Sequence, residues 1–211
     1  MTAAPVLDAA KGRLRIAEPT LTVLVAHAAD PVAAALEVAG AETQLAALRA
    51  AGVIAGGRAH PAIASALAAI VRPELCTLEL EHSGKAMRGW VSYGGAALLL
   101  PAGDDDDRRT LIQVHPTLLP EALARLVDLG PRPRPAATAP VAAGDVVDVR
   151  RRWRLSAAWT LEDGARGGAA LEILDAADGL WLLERGSLAW PVTPTFVWRH
   201  IVRLVMRRPG G

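Results

Sequence analysis

Two stretches of this chain match at one constant offset. Val114-His115-Pro116-Thr117-Leu118-Leu119 lines up with Val192-Thr193-Pro194-Thr195-Phe196-Val197. The same offset sets Leu123 on Ile201, Arg125 on Arg203, Leu126 on Leu204 and Val127 on Val205. A glycine turn and a short apolar strand precede each copy, Gly95 to Leu100 and Gly179 to Leu183. The loop Asp104–Asp107 supplies most of the difference in length. Each copy therefore reads strand, turn, strand, turn, strand, strand, helix. A unit of that kind has a sheet with one apolar face and one amphipathic helix. Two of them can pair their sheets and share a core about a pseudo-twofold axis. The competing explanation is two similar helix caps that arose independently, since Thr and Pro are common at helix starts.

The expected fold is α+β. A mostly antiparallel sheet comes from two quasi-twofold-related strand-and-helix units, with helices packed on the sheet and a helical N-terminal third. The repeat units run about 74–130 and 146–206 within a single domain, 1–211. A connection rich in Pro, Arg and Ala, 131–145, joins them, and its proline content reads as an exposed linker of polyproline character.

Local patterns fill in the units. Ala41–Ala51 spaces Leu45 and Leu48 for a helix, with Gly52 as its stop. His60-Pro61 opens a second helix, in which Ile63, Leu67 and Ile70 share a face and after which Pro73 follows. Leu21–Ala29 fits either a buried strand or a short helix. Cys76, Leu78 and Leu80 alternate with Thr77, Glu79 and Glu81, the mark of a half-buried strand. Ala97–Leu100 and Leu111–Val114 read as further strands of the first unit. The helix after Pro116 carries Leu118, Leu119, Leu123, Leu126 and Val127 on one stripe and ends at Gly130. In the second unit Val147–Trp159 alternates as one long strand. Ala169–Leu174, Leu180–Glu184 and Leu188–Val192 follow it, and Thr193-Pro194-Thr195 caps a last helix before a basic tail, Arg207–Gly211.

Charge and composition restrict the function classes. The net charge is +1, which gives no global field to gather nucleic acid or anionic membrane. No run approaches the roughly 18 apolar residues of a membrane span. Val6 and Leu7 precede Lys11 and Arg13, the reverse of a signal peptide's order, so a cytoplasmic protein is expected. Cys76 is the sole cysteine, which rules out an internal disulfide and a thiolate metal cluster.

Candidate chemistry is sparse. His27, His60, His82, His115 and His200 lie far apart in sequence, without metal-ligand spacing, so neither metal nor cofactor is expected. His200 falls on the helix stripe and reads as a partly buried, hydrogen-bonded histidine. Cys76 shares the apolar face of its strand and reads as a small hydrophobe. Asp104–Asp107 is a contiguous loop run, without the spaced ligands of a calcium loop. No GxSxG elbow, Walker loop or GxGxxG turn occurs. Arg150-Arg151-Arg152-Trp153-Arg154 is the best nucleic-acid feature, because arginine beside an aromatic can grip phosphate and stack on bases. Most of these arginines alternate onto the wet side of a strand. Of the six tryptophans most read as core, and any exposed beside arginine would suit a binding hot spot.

Three stretches carry a resemblance. LAALRAAGVIAGGRAHPAIASALAAIVRP from Leu45 to Pro73, the strand CTLELEH, and the glycine-rich RGWVSYGGAALLL resemble the EspG family, chaperones of the ESX (type VII) secretion systems of actinobacteria. The closing GLWLLERG and VTPTFVWRHIVRLV are similar to that family's last strand, loop and helix. The resemblance implies a cytosolic, non-enzymatic chaperone with internal quasi-twofold symmetry. Its partner would be a helical secreted protein, PE/PPE-like or WxG-like, kept soluble until export. Charge, hydropathy and the lack of motifs give no expectation of nucleic acid, membrane insertion, a small-molecule ligand or a cofactor. By element order the resemblance puts the partner contact at His82, Ser83, Gly84, Lys85, Ala86 and Met87. The chain is shorter than usual for that family, chiefly near its N-terminus, and its loops are abbreviated. The alternatives are a non-catalytic nucleic-acid or protein adaptor, and an enzyme with an unfamiliar site.

Overall fold

A computed structural model describes residues 4–32, 40–102, 108–161 and 163–206. The loop Asp104–Asp107 and the tail Arg207–Gly211 lie outside the described residues. The chain divides into two compact units, Met1–Glu74 with Met87–Pro116, and Leu75–Ala86 with Thr117–Gly211. Their boundaries differ from those expected for the two copies, since residues 117–130 fall in the second unit.

The first unit begins with a hairpin, β1 (Val6–Asp8) and β2 (Arg13–Ala17). The N-terminal third is therefore not helical throughout. The alternation Arg13-Leu14-Arg15-Ile16 buries Leu14 and Ile16 and leaves both arginines in water. Leu21–Ala29, open to two readings in sequence, lies in helix α1 (Glu18–Ala29), with Pro19 in its first turn. Helices α2 (Ala41–Ala50) and α3 (Pro61–Val71) fall where the apolar spacing sets them. The His60 ring caps α3 by accepting from the Ala62 amide at 3.1 Å. Between them, β3 (Ile54–Ala55) and β4 (Arg58–Ala59) form a short separate hairpin. The strands β6 (Lys85–Val91), β7 (Ala96–Pro101) and β8 (Arg108–Val114) complete the unit in the antiparallel order β1-β2-β8-β7-β6. Helix α3 packs on β7 and β8 and against α1. The core joins Leu14 and Ile16 to Leu24, Leu48, Ile63, Leu67 and Leu111, all essentially solvent-free.

The second unit is built on β5 (Cys76–His82), β9 (Val141–Ala142), β10 (Val149–Thr160), β11 (Arg166–Ala176), β12 (Gly179–Glu184) and β13 (Leu188–Val192). Their order is β5-β10-β11-β12-β13-β9, antiparallel throughout. The long strand starts at Val149, and Val147 is exposed outside it. Trp153, Leu155, Ala157 and Trp159 are buried while Arg152, Arg154 and Thr160 face water, as period two requires. Helix α4 (Leu119–Leu126) packs on α5 (Pro194–Met206), which lies against β10 and β11.

The two helices start differently. Thr193 accepts from the Phe196 amide at 3.2 Å, a side-chain N-cap, and Pro194 takes the first helical position. His115 takes the place of Thr193 when residues 114–119 are aligned with 192–197. There a 3₁₀ turn, Pro116–Leu118, precedes a shorter helix without a side-chain cap. Its stop is not Gly130. Asp128 adopts a left-handed φ of 52°, and the amides of Asp128 and Leu129 close onto the carbonyls of Arg125 and Ala124. That is a Schellman ending with aspartate in the glycine position.

The Pro/Arg/Ala connection is not a free linker. Pro135 is buried, and Arg132 reaches the buried carboxylate of Asp175 on β11. Gly179 lies so close that an added Cβ would sit 2.6 Å from the Pro133 carbonyl oxygen. Leu174, Ala176, Trp181, Leu183 and Ala189 form a second small core, against which Ala137, Val141 and Ala143 pack. Leu174 and Ala176 alternate with Leu171 and Ile173, so this cluster uses the sheet face that a lone amphipathic helix would leave wet.

Candidate functional site

A concavity in the second unit lies where β5 ends and β10 begins. Its volume is about 600 Å³. Residues 81–86, Arg150 to Arg154 and Glu172 line it. Local backbone chemistry makes the rim. Ser83 and Gly84 both have positive φ, 51° and 74°, which is the type I′ turn that reverses a strand in two residues. Glycine meets that demand at no steric cost. The turn leaves Ser83, Gly84, Lys85 and Ala86 exposed, so the groove is open to a surface rather than closed around a small molecule.

The floor is set by strand register. Arg154 stands opposite Glu81 on β5 and opposite Glu172 on β11. Arg152 binds Glu172 through Nε at 2.7 Å. Arg151 donates to the Asp128 carboxylate at 2.8 Å, and that guanidinium, with Arg132 as a second cation, holds the Asp128 carboxyl below the usual carboxylate range. Between Val149 and Arg151 the pairing with β11 slips, and Arg150 occupies the irregularity. His82 lies opposite Trp153. Partial burial lowers its pKa first, and the charge on Arg151 lowers it further.

Of the residues expected to touch a partner, His82, Ser83, Gly84, Lys85 and Ala86 are brought together here. Met87 is not among them, since its side chain is buried and does not line the groove. The arginine run singled out in sequence forms the opposite wall. Trp153 is only 3 % exposed and packs into the core, so it offers no face for stacking a base. Glu172, Asp128 and the Arg132–Asp175 pair carried no local signal, because only the register and the docked connection bring them near.

The other candidates have structural roles. His82 Nε2 lies 3.4 Å from the Ser83 hydroxyl, but these are chain neighbours, and among the described residues no carboxylate hydrogen-bonds the ring. A His200 ring nitrogen lies 2.9 Å from the Phe196 carbonyl, and the ring stacks on Phe196 at 4.0 Å. Burial pushes the Cys76 thiol up to about 11, which suppresses the thiolate that a nucleophile needs. Among the described residues, no three His, Cys, Asp or Glu side chains converge as metal ligands would. None of the described helices is long and apolar enough to cross a membrane.

A smaller depression of about 390 Å³ separates α4 from α5, with Arg125 and the exposed Trp198 on its wall. Trp190 is the other exposed tryptophan, and its indole donates to Glu184 at 2.9 Å. Trp153, Trp159 and Trp181 are buried.

No protein-family model and no curated protein matches the chain. The fold does have a solved counterpart. Over 94 % of this chain and 98 % of the other, it is similar to the Mycobacterium tuberculosis type VII secretion system chaperone EspG5, solved in complex with a PE25–PPE41 dimer, at a TM-score of 0.62 and 12 % sequence identity.

Proposed function

We propose that this chain is a substrate-binding chaperone of a type VII secretion system, acting without catalysis in the cytoplasm. It would hold a helical secreted protein, PE/PPE-like or WxG-like, at the groove formed by residues 82–86 and the start of β10. The observation that carries the reading is the similarity of fold along 94 % of the chain to a type VII secretion system chaperone solved in complex with a PE25–PPE41 dimer. The exposed I′ turn supports the location, since its backbone and short side chains present an accessible rim. On this reading residues 74–130 and 146–206 are two copies of one unit, and the partner contact uses the turn of only one copy.

Co-expression with the small helical proteins encoded beside it tests the proposal. A stoichiometric complex that keeps an otherwise insoluble partner in solution is the expected result. Recovery of every such neighbour alone, with this chain eluting free, contradicts it.

A further inference from the structure

We infer that the groove receives an acidic segment of its partner, with Arg150 and Arg154 as the principal receiving cations. The inference rests on the groove being the partner surface, as proposed above.

The argument is one of charge and commitment. The whole chain carries a net charge of only +1. Yet the groove gathers five cationic side chains against two carboxylates, Glu81 and Glu172. Excess positive charge is therefore local and not a property of the surface at large. Two of the arginines are already committed, Arg151 to Asp128 and Arg152 to Glu172. Arg150 and Arg154 form no ion pair within 4 Å among the described residues, and both are exposed. Arg150 owes its position to the irregular pairing at the head of β10, which takes it out of the regular alternation.

The same geometry favours a protein carboxylate over a nucleic acid. A nucleic-acid groove tracks phosphates with a continuous row of cations and stacks bases on aromatics. Here Glu81 and Glu172 interrupt the row on both sides of Arg154, and the one nearby indole is buried. One or two carboxylates on a helical turn need only separate guanidiniums such as Arg150 and Arg154, not a continuous row. Complementary charge of this kind steers encounter and fixes register, and reversing it sets like charges together at a cost in affinity.

The test uses the full chain and three fluorescent probes in anisotropy titrations. They are an amphipathic helical peptide with glutamate along its polar face, the same peptide with glutamine in those places, and a single-stranded oligothymidylate. The glutamate peptide should bind, and should weaken about tenfold between roughly 50 and 300 mM NaCl. The Arg150→Glu/Arg154→Glu variant should lose about tenfold or more, and Arg150→Lys/Arg154→Lys should stay near the parent. Arg199→Glu/Arg203→Glu makes the same change in net charge on the exposed side of α5 and should bind normally. Thermal melts confirm that each variant is folded. Equal binding of the glutamine peptide, or tighter binding of the oligonucleotide, overturns the inference. So does a co-expressed helical partner that the Arg150→Glu/Arg154→Glu variant still holds, although that result leaves the chaperone reading intact. Salt-sensitive peptide binding with no helical partner ever held would sink the chaperone reading and leave the chemistry of the groove standing.

Discussion

Arg132 and Asp175 meet at two points, Nε to Oδ1 and Nη2 to Oδ2, each at 3.1 Å. The Asp175 side chain is 5 % exposed and that of Arg132 19 %. A carboxylate this buried is tolerated because a planar guanidinium satisfies both of its oxygens. Arg132 also donates to the Asp128 carbonyl at 3.0 Å, so one side chain ties the end of α4, the proline-rich connection and β11 together. Removing the cation strands the anion. Arg132→Ala should cost about 3 kcal/mol in urea unfolding. Arg132→Ala/Asp175→Ala should be more stable than the two single losses added together, with a coupling of about 1 kcal/mol or more. Strict additivity would mean that the pair holds nothing in place.

Gly179 makes the same docking possible from the other side. Its φ is 141°, and a Cβ there would meet both the Pro133 carbonyl and the Pro135 ring. Gly179→Ala combines a disfavoured backbone with a contact that cannot close, and should cost about 2 kcal/mol or more. Amide exchange across residues 136–146 should rise in this variant while exchange in α3 stays unchanged. A rise spread evenly over the chain would count against the docked connection.

Cys76 titrates far above the usual thiol because burial disfavours its thiolate. The native chain should resist aromatic disulfide reagents that react at once with the unfolded chain. Linkage gives the sign of the pH effect. The unfolded thiol ionises near 9 and the folded one near 11, so stability is full below about 9 and falls as pH rises toward 11. Across the full separation from 9.0 to about 11 the loss is about 3 kcal/mol. Comparison with Cys76→Val isolates it, since that variant lacks the ionising group.

His82 has the opposite dependence. Its folded pKa lies below the ordinary 6.5, through partial burial and then Arg151. Below 6.5 the unfolded chain binds a proton that the folded chain resists, so stability declines as pH falls from 6.5 toward the lowered value. His82→Gln should show a flatter urea midpoint between about pH 7.5 and 5.5 than the parent. An equal slope in both proteins would mean that His82 feels neither burial nor Arg151.

Much of this architecture was legible from periodicity. Cys76–His82 and Trp153–Trp159 alternate cleanly because one side of each strand is core. The Thr193-Pro194 start of α5 was legible because a cap is a local event. The hairpin β1–β2 was harder, since its four alternating residues, Arg13 to Ile16, are a weak signal beside the longer apolar runs. The end of α4 misled because Gly130 advertises a stop that Asp128 already supplies. The connection after it misled more deeply. Proline, arginine and alanine have the composition of a linker, and what docks them is a buried aspartate and a bare glycine on distant strands. The groove was half legible. Residues 82–86 are a turn on any reading, and the arginine run was visible, but only strand pairing sets one against the other.

The central claim is that a helical partner is held at the turn of residues 82–86 and the head of β10. Hydrogen–deuterium exchange on the co-purified complex, against the chain alone, tests it most directly. The account predicts protection at residues 81–86 and 149–154 on partner binding, with little change at α1 or at the depression between α4 and α5. Protection confined to α4 and α5, or to the N-terminal hairpin, with residues 81–86 exchanging as in the free chain, would contradict it.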